Sequence, residues 1–257
     1  MRLQIFPAIQ LPIGIFGVAI GVAALPLLAR HSANKNLAEL KNTFVSAQTM
    51  VFCLTIPAAV GLFVLAEPII RLIFERGAFS SADTMATAQA LALYSIGLFA
   101  YSSNKVLVPV FYAIEKPHYP VIASFLAICT NLLFINLTID VFQHRAIALS
   151  VSVTMVVNFI FLTTILFREL EGFAIKPMCT AILKIVTATG LMLFFLFVAQ
   201  HFAGNLLQKG TLWQTGLALF SLIAVAVIIY SVALYYLKLD EFVEITSKIK
   251  QKFYPNS

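Results

Sequence analysis

Seven long apolar runs, each broken off by a few polar or turn-forming residues, make up most of this chain. A helix needs about 20 apolar residues to cross a bilayer. On that measure the runs predict membrane spans at roughly 9–28, 44–65, 86–114, 121–141, 146–166, 178–202 and 212–237. The punctuation between them is specific. ARHSANKN closes the first run, EPIIRLIF forms a short amphipathic turn after the second, and EKPHYP, DVFQHR and AGNLLQKG break the later ones. Trp213 falls at a position suited to the membrane interface.

The stretch IFERGAFSSADT, from Ile73 to Thr84, is the most informative of these breaks. Gly77 supplies a turn. Ser80 stands three residues before Asp83 in the S-x-x-D pattern of a capping box, which predicts that a helix starts there. Glu75 and Arg76 offer a local ion pair, and nothing in the pattern requires either to touch a ligand.

Composition agrees with the periodicity. Of the 257 residues, 61% are hydrophobic and 11% charged, and the mean hydropathy is +0.95. This is the balance of an integral membrane protein. The fold class expected is all-α, a polytopic bundle of about seven transmembrane helices forming one domain over 1–237, with 238–257 as a tail. Phe242, Ile249 and Phe253 recur in that tail at near-helical spacing beside Lys248, Lys250 and Lys252, so it suits either an interfacial helix or a solvated segment. The Met1 end has one arginine followed by an apolar run, but Pro7 and Pro12 interrupt it, and it reads as a retained helix and not a signal peptide.

Charge sets the orientation. Arg30, Lys35, Lys41, Lys116, Arg168, Lys176, Lys238, Lys248, Lys250 and Lys252 fall on one side; Arg2, Arg71, Arg76, Arg145 and Lys209 fall on the other. The richer side is expected to be cytoplasmic, with the C-terminus inside and the FERGAF turn outside. The net charge of +6 then reflects orientation and lipid contact, not nucleic-acid binding.

Catalytic chemistry has little to stand on here. No Asp or Glu lies near the centre of a span, there is no HExxH, and the four histidines sit in loops or at helix ends. Cys53, Cys129 and Cys179 are widely separated and read as core thiols, with neither a disulfide framework nor a metal site indicated. No cofactor is expected. Polar residues inside the spans are the sharper signal: Lys105 after Ser102, Ser103 and Asn104, with Gln89, Asn131, Asn136 and Asn158. Either they line a water-filled pathway, or they bond helix to helix while Lys105 snorkels to the surface. Gly14, Gly17 and Gly21 with Pro12 and Pro26 in the first span, and Pro57 and Pro109 in the next two, suit close packing or a helix that bends during transport.

Three segments carry a family resemblance: LPIGIFGVAIGVAALPLLARHSA, PAAVGLFVLAEPIIRLIFERGAFSSADT and ALALYSIGLFAYSSNKVLVPVFYAIEKPHYP. Together they resemble the MurJ (MviN) family of lipid II flippases, chiefly over Leu11 to Asn136, with the F-E-R-G-A-F and F-Y-A blocks the most specific part. The resemblance implies the fold of the multidrug/oligosaccharidyl-lipid/polysaccharide exporters, in which two lobes rock around a cationic cavity that receives the pyrophosphate and sugar head group. It implies a bacterial inner-membrane protein with lipid II or a similar polyprenyl-linked substrate as partner, acting in peptidoglycan synthesis. The chain is similar to the second lobe only, so a first lobe is expected as a further partner beside membrane lipids.

Site residues follow from the same resemblance. Lys105 matches a basic position before the F-Y-A block. Pro7 stands where a cavity arginine belongs, which leaves Arg2 as a stand-in, and Gln10 sits where the family can carry an acidic residue. Glu75, Arg76, Gly77, Ser80 and Asp83 mark the hairpin motif. After F-Y-A the family has an Asp and a Thr-Pro, where this chain has Glu115, Lys116 and Tyr119-Pro120. Two other readings remain open: an exporter of another lipid-linked oligosaccharide or drug, and a non-transporting scaffold or truncated product.

Overall fold

The computed structural model describes residues 17–77, 79–209 and 212–239, and these are helical almost throughout. In chain order the helices are α1 (Ala19–Ala33), α2 (Leu37–Val64), α3 (Ala66–Phe74), α4 (Ser81–Ile96), α5 (Leu98–Ala113), α6 (His118–Phe142), α7 (His144–Glu169), α8 (Ile175–Lys209) and α9 (Leu212–Tyr236). Five of them (α2, α6, α7, α8 and α9) are long and apolar enough to cross a membrane, and α4 with α5 makes a sixth as a pair bent by 44°. The protein is a multi-pass membrane protein.

Several boundaries differ from the sequence expectation. The first span's described part, α1, runs through Ala33 and takes in half of the expected polar loop, and α8 likewise continues to Lys209. Polar residues do not stop a helix where no proline or glycine forces the turn. EPIIRLIF belongs to a nine-residue helix, α3, whose charged and apolar positions separate onto opposite faces. The third span is not one rod; it breaks at Gly97. Residues 9–16 of the first span and the tail from 240 onward lie outside the described residues.

Helix α2 is the hub, packing on α1, α4, α5 and α8. Toward its N-terminal end Leu40, Phe44 and Val51 are buried with Leu28, Val106, Val110, Leu162 and Leu166 from α1, α5 and α7. Near its centre Phe52 meets Phe99 and Phe159 at ring-centroid distances of 6.3 and 5.9 Å, so one aromatic cluster joins α2, α5 and α7. Beyond its C-terminal end Ala66 and Ile70 of α3 pack with Ala88 and Leu91 of α4 and Ala148 of α7. The α8–α9 pair leans on the other side of α2, through Ile185, Ala188 and Leu196 of α8 and Leu222 and Leu234 of α9. Cys53 is buried in this interface, whereas Cys129 and Cys179 are exposed, contrary to the expectation that all three are core thiols. A free thiol behaves as a small hydrophobe, so on α6 or α8 it sits as readily on the outward face as in the core.

Prolines inside helices leave carbonyls without their usual donor four residues on. Pro57 has no N–H to give to the Cys53 carbonyl; instead the Tyr230 hydroxyl of α9 donates to it at 2.6 Å. Pro109 similarly releases the Lys105 carbonyl, and this oxygen lies against Gly21 of α1, so closely that a Cβ there would collide with it. That approach suits a Cα–H···O contact. At the α5 C-terminus, Ser32 of α1 donates to the Ala113 carbonyl at 2.6 Å. At Pro57 and Pro109 the freed carbonyl is thus seated against a neighbouring helix, as backbone in a bilayer requires.

Candidate functional site

The α3–α4 hairpin is built around one carboxylate. Glu75 follows the last turn of α3, where Arg71 donates Nε–H to it at 3.2 Å and Nη2–H to Glu67 at 2.8 Å. From the start of α4, Thr84 and Ser81 donate their hydroxyls to Glu75 at 2.7 and 3.1 Å. The Thr84 hydroxyl chiefly, then Ser81 and Arg71, hold its carboxyl below the ordinary value of 4.5 against partial desolvation. The ion pair is therefore with Arg71, while Arg76 is exposed and donates to the Leu72 carbonyl at 3.1 Å. Gly77 has φ of +60°, a region glycine reaches without cost. Ser80 and Asp83 complete the cap in both directions: Ser80 Oγ accepts from the Asp83 N–H and the Asp83 carboxylate accepts from the Ser80 N–H. The arrangement orients two helices.

Lys105 is exposed on α5, beside α1, with its Nζ 4.9 Å from the centre of the Tyr101 ring one turn back. A cation over an aromatic face is drawn to it by the ring quadrupole. Tyr112 on α5 and Val22, Leu25 and Pro26 on α1 are also exposed, so α1 and α5 offer an amphipathic surface. Arg2 and Gln10 lie outside the described residues.

The other intramembrane polar residues divide. Asn131 donates to Ser150 at 3.5 Å between α6 and α7, and Ser103 donates to the Phe99 carbonyl within α5. Asn136 is exposed. Among the described residues Ser102 Oγ, Asn104 Oδ1 and Asn158 Oδ1 are buried without a hydrogen-bond partner, and so are both ends of the Gln48 amide. These polar atoms make the α2–α5–α7 seam polar as well as aromatic. Gln48 was not conspicuous in the sequence; only its place one turn from Phe52 on the hub helix singles it out.

Where the F-Y-A block departs from the family pattern, this chain has its own contacts. Lys116 pairs with Glu169 at the end of α7, and the Tyr119 hydroxyl donates to the same carboxylate at 2.6 Å. Between α8 and α9 lies an open groove of about 730 Å³ lined by Thr187, Gly190, Leu191, Ile228, Val232 and Tyr236, nearly all of it apolar. No sequence motif announced it.

With this geometry in place, comparison with known proteins is decisive on one point. The sequence model of the family described as "Lipid II flippase MurJ" matches residues 8–218. The chain belongs to the MurJ family. Among curated relatives, the probable lipid II flippase MurJ of Rhizobium meliloti is 36% identical over 226 residues, covering 86% of this chain and 42% of that protein. The counterpart from Buchnera aphidicola of Acyrthosiphon pisum is 34% identical over 193 residues, 75% of this chain and 38% of its own. That of Thermotoga maritima is 32% identical over 237 residues, 92% and 45%. A solved structure titled lipid II flippase MurJ, inward closed conformation, superposes with a TM-score of 0.70 at 25% identity, over 89% of this chain and 45% of that one. The chain spans less than half the length of each of these MurJ relatives.

Proposed function

We propose that this chain is one lobe of a flippase that moves lipid II across the bacterial cytoplasmic membrane for cell-wall synthesis. The observation that carries the reading is the family match over 8–218, to relatives whose names state that activity. In this reading the head group is taken up on the cytoplasmic side, the lobe rocks against a first lobe of the same superfamily fold, and the head group leaves outside while the polyprenyl tail stays in lipid. Lys105 is proposed to meet the pyrophosphate on the α1–α5 surface, with Arg2 and Gln10 as further contacts, and the α8–α9 groove suits the tail. The C-terminus is placed in the cytoplasm, as the lysine and arginine distribution favours.

The test is growth. Cells depleted of their own lipid II flippase should grow when supplied with this chain together with a first lobe, and not with the first lobe alone. Failure to grow alongside transport of a different lipid-linked sugar would favour an exporter of another substrate. No flux with any first lobe would favour a scaffold.

A further inference from the structure

The break between α4 and α5 shows how it is held. At Gly97 the backbone N–H turns to the Tyr94 carbonyl at 3.1 Å, so the Leu93 carbonyl loses the donor it would have in a continuous helix. The Ser152 hydroxyl of α7 takes that place, donating to Leu93 O at 2.7 Å and lying 3.3 Å from Tyr94 O. Gly97 itself sits on Ser152 so closely that a Cβ would fall 2.7 Å from the serine Cα. The bend of 44° therefore rests on one hydroxyl and one absent side chain.

The break also marks a division of the core. Before it, α4 packs with α3, with Ala148 of α7 and along α2. After it, Val106, Leu107 and Val110 of α5 pack with α1, α2 and the second half of α7. Glu75 fastens α3 to the start of α4.

We propose that Gly97 is a hinge and the Ser152 hydroxyl its catch: the α3–α4 hairpin swings relative to α5 by exchanging the Ser152-to-Leu93 bond for the continuous-helix bond from Gly97 N–H to Leu93 O. At the break itself the two states differ by one donor to the Leu93 carbonyl, and both leave that oxygen satisfied, while α4 slides on α2 and α7 as it swings. The device goes beyond the translocation reading and stands without it.

Distance measurement between spin labels decides the matter. In the full chain, with Cys53→Ala, Cys129→Ala and Cys179→Ala, nitroxides placed through Met85→Cys and Tyr112→Cys report the bend in liposomes. At 1.5 Å per residue, straightening a 44° bend lengthens the separation by roughly 3 Å. Ser152→Ala should add a population longer by that amount, and Ser152→Thr, which keeps the hydroxyl, should restore the parent distribution. An unchanged distribution in Ser152→Ala overturns the proposal. Should that variant not fold, hydrogen exchange on the unaltered chain answers instead: the Gly97 and Leu98 amides must exchange faster than those of Val106 and Leu107, and uniform protection overturns the hinge.

Discussion

Replacing Tyr230 by phenylalanine removes the donor that α9 offers to the Cys53 carbonyl. The loss should be about 1 kcal/mol, the usual worth of such a bond within a membrane bundle or slightly more. Pro57→Ala gives that carbonyl a backbone N–H again, so the effect of Tyr230→Phe should shrink in the Pro57→Ala background. Reversible unfolding of the four proteins in mixed micelles forms the cycle that checks it. Glu75 gives a pH-dependent counterpart. Its folded pKa lies below 4.5, so its contribution is fully present above that value and is lost as pH falls through the folded pKa. The contribution is small, roughly 0.5 kcal/mol or less at a partly exposed site. Unfolding midpoints measured from pH 6 down to 3 should therefore fall less steeply in Glu75→Gln. The capping box could be read from the sequence because Ser80 and Asp83 are three residues apart; the partner of Pro57 could not, since Tyr230 is 177 positions from Cys53.

At the level of helices, glycines separate into those that seat a neighbour and those that do not. Gly21→Ala drives a methyl into the Lys105 carbonyl and should part α1 from α5, costing about 2 kcal/mol or more. Gly61 has nothing within 4 Å of its prospective Cβ, so Gly61→Ala should be neutral or stabilise α2 by about 0.5–1 kcal/mol. Thermal unfolding of the two variants side by side tests the contrast. Hydropathy locates the spans but is blind to the bend in the third, because a break costs the average nothing when the residues on both sides are apolar. Gly97 looks ordinary in sequence. Its meaning comes from Ser152, which belongs to another helix.

For the whole molecule, the proposed role makes Lys105 the residue to alter first. Lys105→Ala should lower head-group flux by roughly tenfold or more when the chain is tested with a first lobe, as expected for loss of a charged hydrogen bond, and Lys105→Arg should retain most of it. The resemblance to MurJ was already apparent in the F-E-R-G-A-F and F-Y-A blocks, which are local strings. The α8–α9 groove was not, because a groove is made by what two apolar helices leave unfilled. The polar seam at Gln48 escaped for a related reason: one amide among many apolar neighbours has no period to betray it.

Helix α6 leans almost wholly on α7, its successor in the chain, and most of its apolar side chains face outward. The two are joined by a tight reversal at Gln143, with φ of +48°. Under mechanical load such a pair cannot be taken apart one rod at a time, because α6 has little else to hold it once α7 goes. Pulled from the C-terminus by a cantilever, the chain should surrender α7 and α6 in a single rupture, leaving α2, gripped from several sides, among the last to leave the bilayer.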